Sequence, residues 1–223
     1  MTDSPVYSTE VARRLAEVHD RIRAAGGHDV QVMAVTKGFG PDAIDAAVAA
    51  GCRAIGENYA QELLAKRDTL DRHRGSLEVH FIGRLQSNKV RALAGVVHRY
   101  STVDRESLVR EIARRDPGAR ILVQVDTTAT PDKGGCAPDD AAELVQQARE
   151  AGLAVEGLMT VGPTDGGPDA AVPGFRVVRA LADDLDLEVC SMGMSADLEA
   201  AVAAGSTEVR LGTALFGERP PRR

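Results

Sequence analysis

The chain has 223 residues, a length that suits one sizeable core or two small ones, and one domain is the more common arrangement. Its net charge is −6 at pH 7 with no block of lysines and arginines, which argues against nucleic acid or an anionic membrane as the main partner. The three cysteines are widely spaced and form no CxxC pair, so neither a disulfide framework nor a metal site is predicted. No targeting signal opens the sequence and no apolar run approaches membrane-spanning length, so we expect a cytoplasmic protein.

Hydrophobic periodicity divides the chain into alternating elements. Apolar positions three to four residues apart predict an N-terminal helix over about residues 8–26. Eight short apolar runs follow, and they predict strands over residues 31–36, 53–56, 78–83, 96–101, 120–125, 154–161, 187–192 and 207–212. Helical patterns lie between them, at residues 41–50, 59–70, 87–94, 105–115, 139–151, 175–185 and 196–204.

Eight strands that alternate with helices predict an α/β fold with a parallel sheet, and eight strands close a TIM barrel. We therefore expect a single domain over residues 1–223, with a (β/α)8 barrel over residues 31–217 and a tail over residues 218–223. A doubly wound open sheet would alternate in the same way, but the GxGxxG turn of its dinucleotide-binding form is absent after the first strand. Residues 162–174 are rich in Gly, Pro and Asp and predict a loop within the domain.

Lys37 stands at the end of the first predicted strand, directly after an apolar run. Lysine is normally a solvated surface residue, so its position at the end of a buried strand is unusual. Burial lowers the pKa of an amine and leaves more of it in the neutral form that attacks a carbonyl. The alternative, which this stretch alone leaves open, is that Lys37 is simply the first polar residue after a strand.

Two short glycine-bearing loops follow the seventh and eighth predicted strands, at residues 191–195 and 212–214. In TIM barrels these loops often hold a phosphate group, and glycine lets backbone N–H groups approach an anion closely. The first loop also runs directly into a helix, whose N-terminus favours negative charge. Ser195 could instead be only an N-cap of that helix.

Arg210 lies in the last predicted strand between Val209 and Leu211, which share the opposite face. If those two residues pack outward against helices, Arg210 points into the barrel, where a buried guanidinium requires a partner. That partner is either an acid on a neighbouring strand, for instance Glu57, or the ring nitrogen of a bound pyridine.

Five segments of the sequence, taken in order, match one family of proteins. They are AVTKGFGPDAI at 34–44, IGENYAQELLAK at 55–66, HFIGRLQSNKV at 80–90, GLMTVGP at 157–163 and SMGMSADLEAAVAAGSTEVRLGTALFG at 191–217. On these segments the chain resembles the pyridoxal phosphate homeostasis protein family, also called the YggS or proline synthase co-transcribed family. The resemblance covers nearly the full length.

This resemblance implies a barrel of the alanine racemase N-terminal-domain type (PLP fold type III) that carries pyridoxal 5′-phosphate (PLP) as a Schiff base. Lys37 is then the Schiff-base lysine. Ser195, Gly212 and Thr213 would hold the phosphate. Arg210 would face the pyridine nitrogen.

Three further cofactor-binding residues follow from the resemblance. Asn58 and His80, near the ends of the second and third strands, would line the ring. Met194, in the loop after the seventh strand, is also predicted to bind the cofactor, although a methionine there is more often a packing residue. The sequence departs from the family pattern at two positions. Gly38 stands where a threonine often follows the lysine, and Arg84 stands where a histidine is frequent.

The implied function is intracellular PLP homeostasis, in which the protein buffers, carries or delivers the cofactor. A permanently charged arginine at the ring nitrogen disfavours its protonation, so the electron-sink chemistry of PLP is weakened. Racemases and decarboxylases that share this barrel add a β domain, and we expect none here, which leaves the mouth open for exchange. PLP-requiring apo-enzymes are the candidate recipients, and we expect a monomer.

Three alternatives remain open from the sequence. The first is a PLP-dependent amino-acid racemase of weak activity, for which the second base would be His80, Tyr59 or Tyr100. Exchange of the α-hydrogen of alanine for deuterium would favour it. The second is a cofactor-free Schiff-base aldolase, which predicts a colourless protein. The third is a non-catalytic scaffold, which leaves Lys37 and Arg210 unexplained. No residue has a certain catalytic role.

Lys133, after the fifth strand, belongs either to the mouth or to a plain turn.

Overall fold

The computed structural model describes residues 4–128 and 134–219, and within them eight parallel strands form a closed barrel in sequence order. The strands are β1 (Gln31–Val35), β2 (Ala54–Glu57), β3 (Glu78–Phe81), β4 (Arg99–Val103), β5 (Arg120–Gln124), β6 (Ala154–Met159), β7 (Val189–Ser191) and β8 (Glu208–Leu211). The barrel closes where β8 pairs with β1, with Met33 opposite Arg210 and Ala34 opposite Leu211. The predicted eight-stranded barrel is confirmed.

Helices surround this barrel. They are α1 (Ser4–Ala24), α2 (Pro41–Ala49), α3 (Ala60–Ala65), α4 (Arg67–Arg72), α5 (Ser87–Leu93), α6 (Glu106–Arg115), α7 (Ala141–Glu150), α8 (Val172–Asp184), α9 (Leu198–Ala203) and α10 (Thr213–Phe216). The extra helix α1 packs against α2, α9 and α10, and so spans the seam between the two ends of the barrel sequence. In the part of the chain that the structure describes, no helix combines the length and apolar character needed to cross a bilayer.

The strands are buried almost without interruption, and all five residues of β4 are buried. A strand exposed on one face would alternate between buried and exposed positions, whereas a strand in a closed parallel barrel faces helices on one side and the barrel interior on the other. The apolar core between barrel and helices includes Ile44, Ile55, Leu63, Val90, Leu108, Ile112, Ile121, Val145, Phe175 and Leu198, each fully or nearly fully buried.

A network of charged side chains occupies the barrel end at which the strands begin. Arg99 is only 3% exposed, and its Nη2 donates to the carboxylate of Glu208 and, at 3.0 Å, to His80 Nδ1. The other ring nitrogen of His80 lies 2.9 Å from Glu78 Oε2, and Arg120 Nη1 donates to Glu78 Oε1 at 2.8 Å. These contacts surround a cavity of about 500 Å³ and connect β3, β4, β5 and β8.

The helix predicted over residues 59–70 is in fact two helices, α3 and α4, separated by Lys66. The backbone of Lys66 has φ −95° and ψ 8°, and its side chain runs inward to donate to Glu57 Oε1 at 2.6 Å. Lysine is rarely buried unless it is paired. Helix α3 therefore ends where Lys66 reaches Glu57 at the end of β2. No local sequence pattern predicts this contact.

The fourth strand begins later than predicted, at Arg99 rather than at residue 96. The N–H groups of Val96 and Val97 both donate to Leu93 O, at 3.0 Å, so these two apolar residues continue the turn that ends α5. Their apolar character predicted a strand, but Val97 is apolar because it packs the turn against the core.

Other element boundaries also differ from the prediction. Helix α1 begins at Ser4, ahead of the predicted start at residue 8. Helix α8 begins at Val172, inside the predicted loop, after a 3-10 turn at Pro168–Ala171. The short helix α10 was not predicted, because a four-residue helix shows no periodicity. Lys133 lies outside the described residues.

We predict that Arg99→Met destabilises the protein by about 3–5 kcal/mol, because it leaves the buried carboxylate of Glu208 without its cation. The double variant Arg99→Met/Glu208→Met removes both charges and should lose less free energy of unfolding than the single variant. Urea denaturation of both variants measures this difference. The ion-pair role would be contradicted if the double variant lost as much free energy of unfolding as Arg99→Met and Glu208→Met lose together.

Candidate functional site

A cavity of about 490 Å³ opens at the barrel end where the strands finish, a size that suits a small organic ligand. Its wall contains seven of the eight predicted cofactor-binding residues. They are Lys37, Asn58, Met194, Ser195, Arg210, Gly212 and Thr213. The structure thus brings together side chains from both ends of the sequence, as parallel strands in a barrel require.

Lys37 follows β1 directly and lies at the wall of this cavity, half-buried. No group in residues 4–128 or 134–219 accepts a hydrogen bond from its amine. Burial is the main reason that the pKa of Lys37 is lowered, and the positive charges of Arg219 and Arg210 lower it further. The carboxylates of Glu57 and Glu62 oppose this shift. The net effect is a larger share of neutral, nucleophilic amine.

Ser195 and Thr213 connect the loops after β7 and β8. Thr213 Oγ1 donates to Ser195 Oγ at 3.2 Å, and the N–H of Ala214 donates to the same oxygen at 3.3 Å. Gly212 immediately precedes α10, whose first N–H groups have no acceptor inside the helix. Hydroxyls and backbone donors therefore converge on one side of the cavity, and we call Ser195, Gly212 and Thr213 the anion cradle.

Asp197, not Ser195, occupies the N-cap position of α9, which begins at Leu198. The carboxylate of Asp197 turns back on its own loop and accepts the N–H of Met194 at 2.6 Å. This contact keeps the acid 93% buried against its loop, and Ser195 stays free to contact the neighbouring loop. Met194 lines the cavity, but its side chain is 38% exposed.

Arg210 is buried in β8 and is held by neutral oxygen atoms. Its Nη1 donates to Ser191 O at 2.7 Å and to Ser191 Oγ at 2.8 Å, and its Nη2 donates to Thr160 O at 2.6 Å. An ion pair with Glu57 was one alternative, but Glu57 bonds Lys66 instead. Burial lowers the pKa of Arg210. The ordinary pKa of a guanidinium is so high, however, that the side chain remains charged at neutral pH.

Asn58 has a buried side-chain oxygen that finds no hydrogen-bond partner among the described residues. Buried polar atoms nearly always have a partner, so this oxygen marks a place where a ligand can complete the wall. Gly83 packs directly against the backbone of Asn58, where a Cβ would lie 2.0 Å from the backbone oxygen of Asn58.

His80 does not lie at the mouth, and in this respect the expectation was wrong. Its ring is 98% buried in the charged network at the opposite end, between Glu78 and Arg99. Burial lowers the pKa of His80. The side to which a strand residue points depends on the barrel register, which the sequence alone did not fix. Charged residues at the starts of several strands, Glu78, Arg99 and Glu208, were the signal that pointed to this second polar region.

Arg219 lines the cavity although the sequence analysis placed it in an unassigned tail. Its side chain passes close to Gly38, where a Cβ would lie 3.2 Å from Arg219 Cδ. Gly38 has φ +76°, a conformation that side chains other than Gly, Asn and Asp adopt at a cost. The conformation of the loop therefore favours glycine at position 38, which is one of the two positions where the sequence departs from the family pattern. Arg84, the other departure, lies at the cavity mouth.

Comparison with known proteins places the chain in a family. Residues 11–220 match the family model "Alanine racemase, N-terminal domain". The chain is 38% identical to the pyridoxal phosphate homeostasis protein of Pseudomonas aeruginosa, over 94% of this chain and 96% of that protein. It is 37% identical to the protein of the same name from Aquifex aeolicus, over 92% and 97%. The chain belongs to the pyridoxal phosphate homeostasis protein family.

Solved structures agree with this family assignment. PipY of Synechococcus elongatus, solved with PLP bound, is 32% identical and superposes with a TM-score of 0.80, over 93% of this chain and all of that chain. Alanine racemase of Clostridium difficile is only 13% identical, with a TM-score of 0.74 over 94% of this chain and 60% of that chain. That racemase shares the barrel, and nothing beyond the fold follows from the likeness.

We predict that Gly38→Thr lowers the free energy of unfolding by about 1–3 kcal/mol, because a β-branched residue is strained at positive φ. Gly38→Asn, which tolerates this conformation, should cost clearly less. Urea denaturation of the two variants provides the comparison. Equal losses for Thr and Asn would mean that contact with Arg219, rather than backbone conformation, requires the glycine.

Proposed function

We propose that this protein binds PLP through a Schiff base on Lys37 and acts in intracellular PLP homeostasis, by buffering, carrying or delivering the cofactor. The observation that carries the proposal is the composition of one cavity, which combines the Lys37 amine, the anion cradle and the buried Arg210. The family assignment supports it, since relatives carry the homeostasis name and PipY was solved with PLP bound.

The residues of the cavity fit the parts of PLP. When bound, PLP supplies an aldehyde carbon, which the neutral Lys37 amine attacks with loss of one water molecule. The lowered pKa of Lys37 increases the share of amine that can attack near neutral pH. The hydroxyl of Thr213 and the N–H of Ala214, which now donate to Ser195 Oγ, would turn to the phosphate together with the Ser195 hydroxyl, and hydrogen bonds to a charged group are the stronger kind. Asn58 offers a buried oxygen that still needs a donor.

Arg210 favours retention of the cofactor over carbanion chemistry. A guanidinium that faces the ring nitrogen keeps that nitrogen unprotonated, and this weakens the ring as an electron sink. The hydrogen bonds from Arg210 to Ser191 and Thr160 fix the orientation of the cation without neutralising it. The site is therefore better suited to holding PLP than to stabilising a carbanion on it.

The racemase alternative lacks a second base in the described wall of the cavity. His80 belongs to the charged network at the other end. Tyr100 donates to Asp116 at 2.9 Å, and burial raises its pKa, so almost none of it is present at neutral pH as the phenolate that could accept a proton. Tyr59 is 45% exposed and does not line the cavity. A cofactor-free aldolase would leave the anion cradle and Arg210 without a ligand.

We further propose that the working form is a monomer, located in the cytoplasm, that passes PLP to PLP-requiring apo-enzymes. An open mouth at the ends of the strands suits exchange of the ligand with solvent and with acceptors.

We predict that incubation with PLP followed by borohydride reduction adds one pyridoxyl group at Lys37. Peptide mass spectrometry locates the label, and an absorbance in the visible range that borohydride bleaches should accompany it. Lys37→Ala should lose both signals, whereas Lys89→Ala, at a residue of α5 outside the cavity, should keep them. A folded wild-type protein that forms no adduct at Lys37 would refute the proposal.

We predict that Ser195→Ala weakens PLP binding by roughly ten- to a hundredfold, the effect expected for the loss of a hydrogen bond to a charged group. Binding of pyridoxal, which lacks the phosphate, should be nearly the same in the variant and the wild type. Titration of absorbance with each ligand provides the measurement. Equal weakening for both ligands would show that Ser195 acts on the whole site rather than on the phosphate.

A further inference from the structure

Thr36, on the amino side of Lys37, is held by Lys66 through its backbone oxygen and by Glu57, the last residue of β2, through its side chain. Lys66 Nζ donates to Thr36 O at 2.8 Å and to Glu57 Oε1 at 2.6 Å. Thr36 Oγ1 donates to the same Glu57 oxygen at 2.6 Å. Thr36 and Glu57 are fully buried, and Lys66 is only 5% exposed. The peptide unit that carries Lys37 is thus fixed by a buried charged pair.

The backbone on the other side of Lys37 has a separate anchor. The N–H of Gly38 donates to Glu62 Oε2 at 2.9 Å, and Glu62 lies in α3. The N–H of Phe39 donates back to Thr36 O at 3.1 Å, which closes a tight turn around Lys37. Both neighbours of Lys37 in the chain are therefore held by polar side chains of one short segment, residues 57–66.

The same segment places two negative charges near the amine. Glu57 and Glu62 both act on Lys37 electrostatically and oppose the effect of Arg219 and Arg210. One oxygen of Glu57, Oε2, is buried and has no hydrogen-bond partner among the described residues. Burial raises the pKa of Glu57, and Lys66 opposes this shift. A buried carboxylate that keeps one oxygen free is costly unless another group makes use of its charge.

We propose that Glu57, Glu62 and Lys66 are positioning residues for Lys37, which clamp the backbone on both sides of it and control how readily its amine gives up a proton. This inference rests on the proposed function of Lys37. A carrier must capture its ligand and also release it, so its amine must be able to alternate between the neutral form that attacks and the protonated form. The arginines of the cavity favour the first form, and the two carboxylates favour the second.

Titration of Lys37 in the cofactor-free protein tests the role of the charges. Trace acetylation with acetic anhydride, followed by peptide mass spectrometry, gives the pH midpoint of Lys37 reactivity, with Lys89 as internal reference. Glu57→Gln and Glu62→Gln keep an oxygen acceptor for each hydrogen bond but remove the charge. Each should lower the midpoint, since the carboxylates raise the pKa of Lys37. Glu150→Gln, exposed on α7, should leave it unchanged. If the pH midpoint of Lys37 is the same in the wild type and in all three variants, the electrostatic role is overturned.

The rate of PLP trapping tests the clamp. Glu62→Ala removes the acceptor for the Gly38 N–H, whereas Glu62→Gln retains one. At a pH chosen for each variant so that the same fraction of Lys37 is neutral, Glu62→Ala should trap PLP at least about tenfold more slowly than Glu62→Gln, because small misplacements of a reacting group are costly. Equal rates would overturn the clamp. Glu62 is only partly buried, so this pair of variants remains informative even if Lys66→Met fails to fold.

The two experiments separate this inference from the proposed function. If the wild type traps no PLP, the proposed function fails, while the acetylation midpoints still report whether the carboxylates act on Lys37. If the wild type traps PLP at Lys37 and the variants match it in midpoint and rate, only the positioning role of Glu57, Glu62 and Lys66 fails.

Discussion

The pairing of β1 with β8 is the constraint on which the rest of the structure depends. It joins the first and last strands in parallel register, with Ala34 opposite Leu211. Continuing both strands by a few residues brings Lys37 to the same rim as Gly212 and Thr213, and all three line one cavity. An open sheet with the same strands would leave the amine and the anion cradle on opposite edges. Barrel closure therefore creates the site, and helix α1 covers the seam from outside.

Charge inside the closed barrel then determines what the site can do. Lys37 is partly desolvated and faces two arginines, so its pKa is lowered, and Glu57 and Glu62 limit the shift. Arg210 is fixed by carbonyl and hydroxyl oxygens rather than by a carboxylate. A cation held in this way keeps its full positive charge in the cavity. The first feature would favour the proposed attack of the amine on an aldehyde, and the second would disfavour carbanion chemistry on a bound pyridine ring.

The sequence predicted those features that local patterns encode. Eight apolar runs predicted the barrel, and the strand-end lysine, the glycine loops and the family resemblance together predicted seven residues of the cavity wall. Some failures have local causes, such as the turn at Val96 and Val97 and the shortness of α10, but three others depend on contacts between distant segments. The direction of His80 depends on strand register, the break at Lys66 accompanies a buried ion pair with Glu57, and Arg219 reaches the mouth only because the chain folds back past Gly38.

The two ends of the barrel interior use polar groups in opposite ways. At the end where the strands begin, guanidinium and carboxylate groups bond to one another, although Arg99 Nε and Glu208 Oε1 are buried without a partner among the described residues. At the other end, the amine of Lys37 has no acceptor in the described residues and Asn58 keeps a buried oxygen without a donor. Polar groups that are removed from water without partners favour any ligand that supplies them. The charged network and the cavity groups lie at opposite ends of the barrel, so the network can stabilise the fold whether or not the cavity is filled.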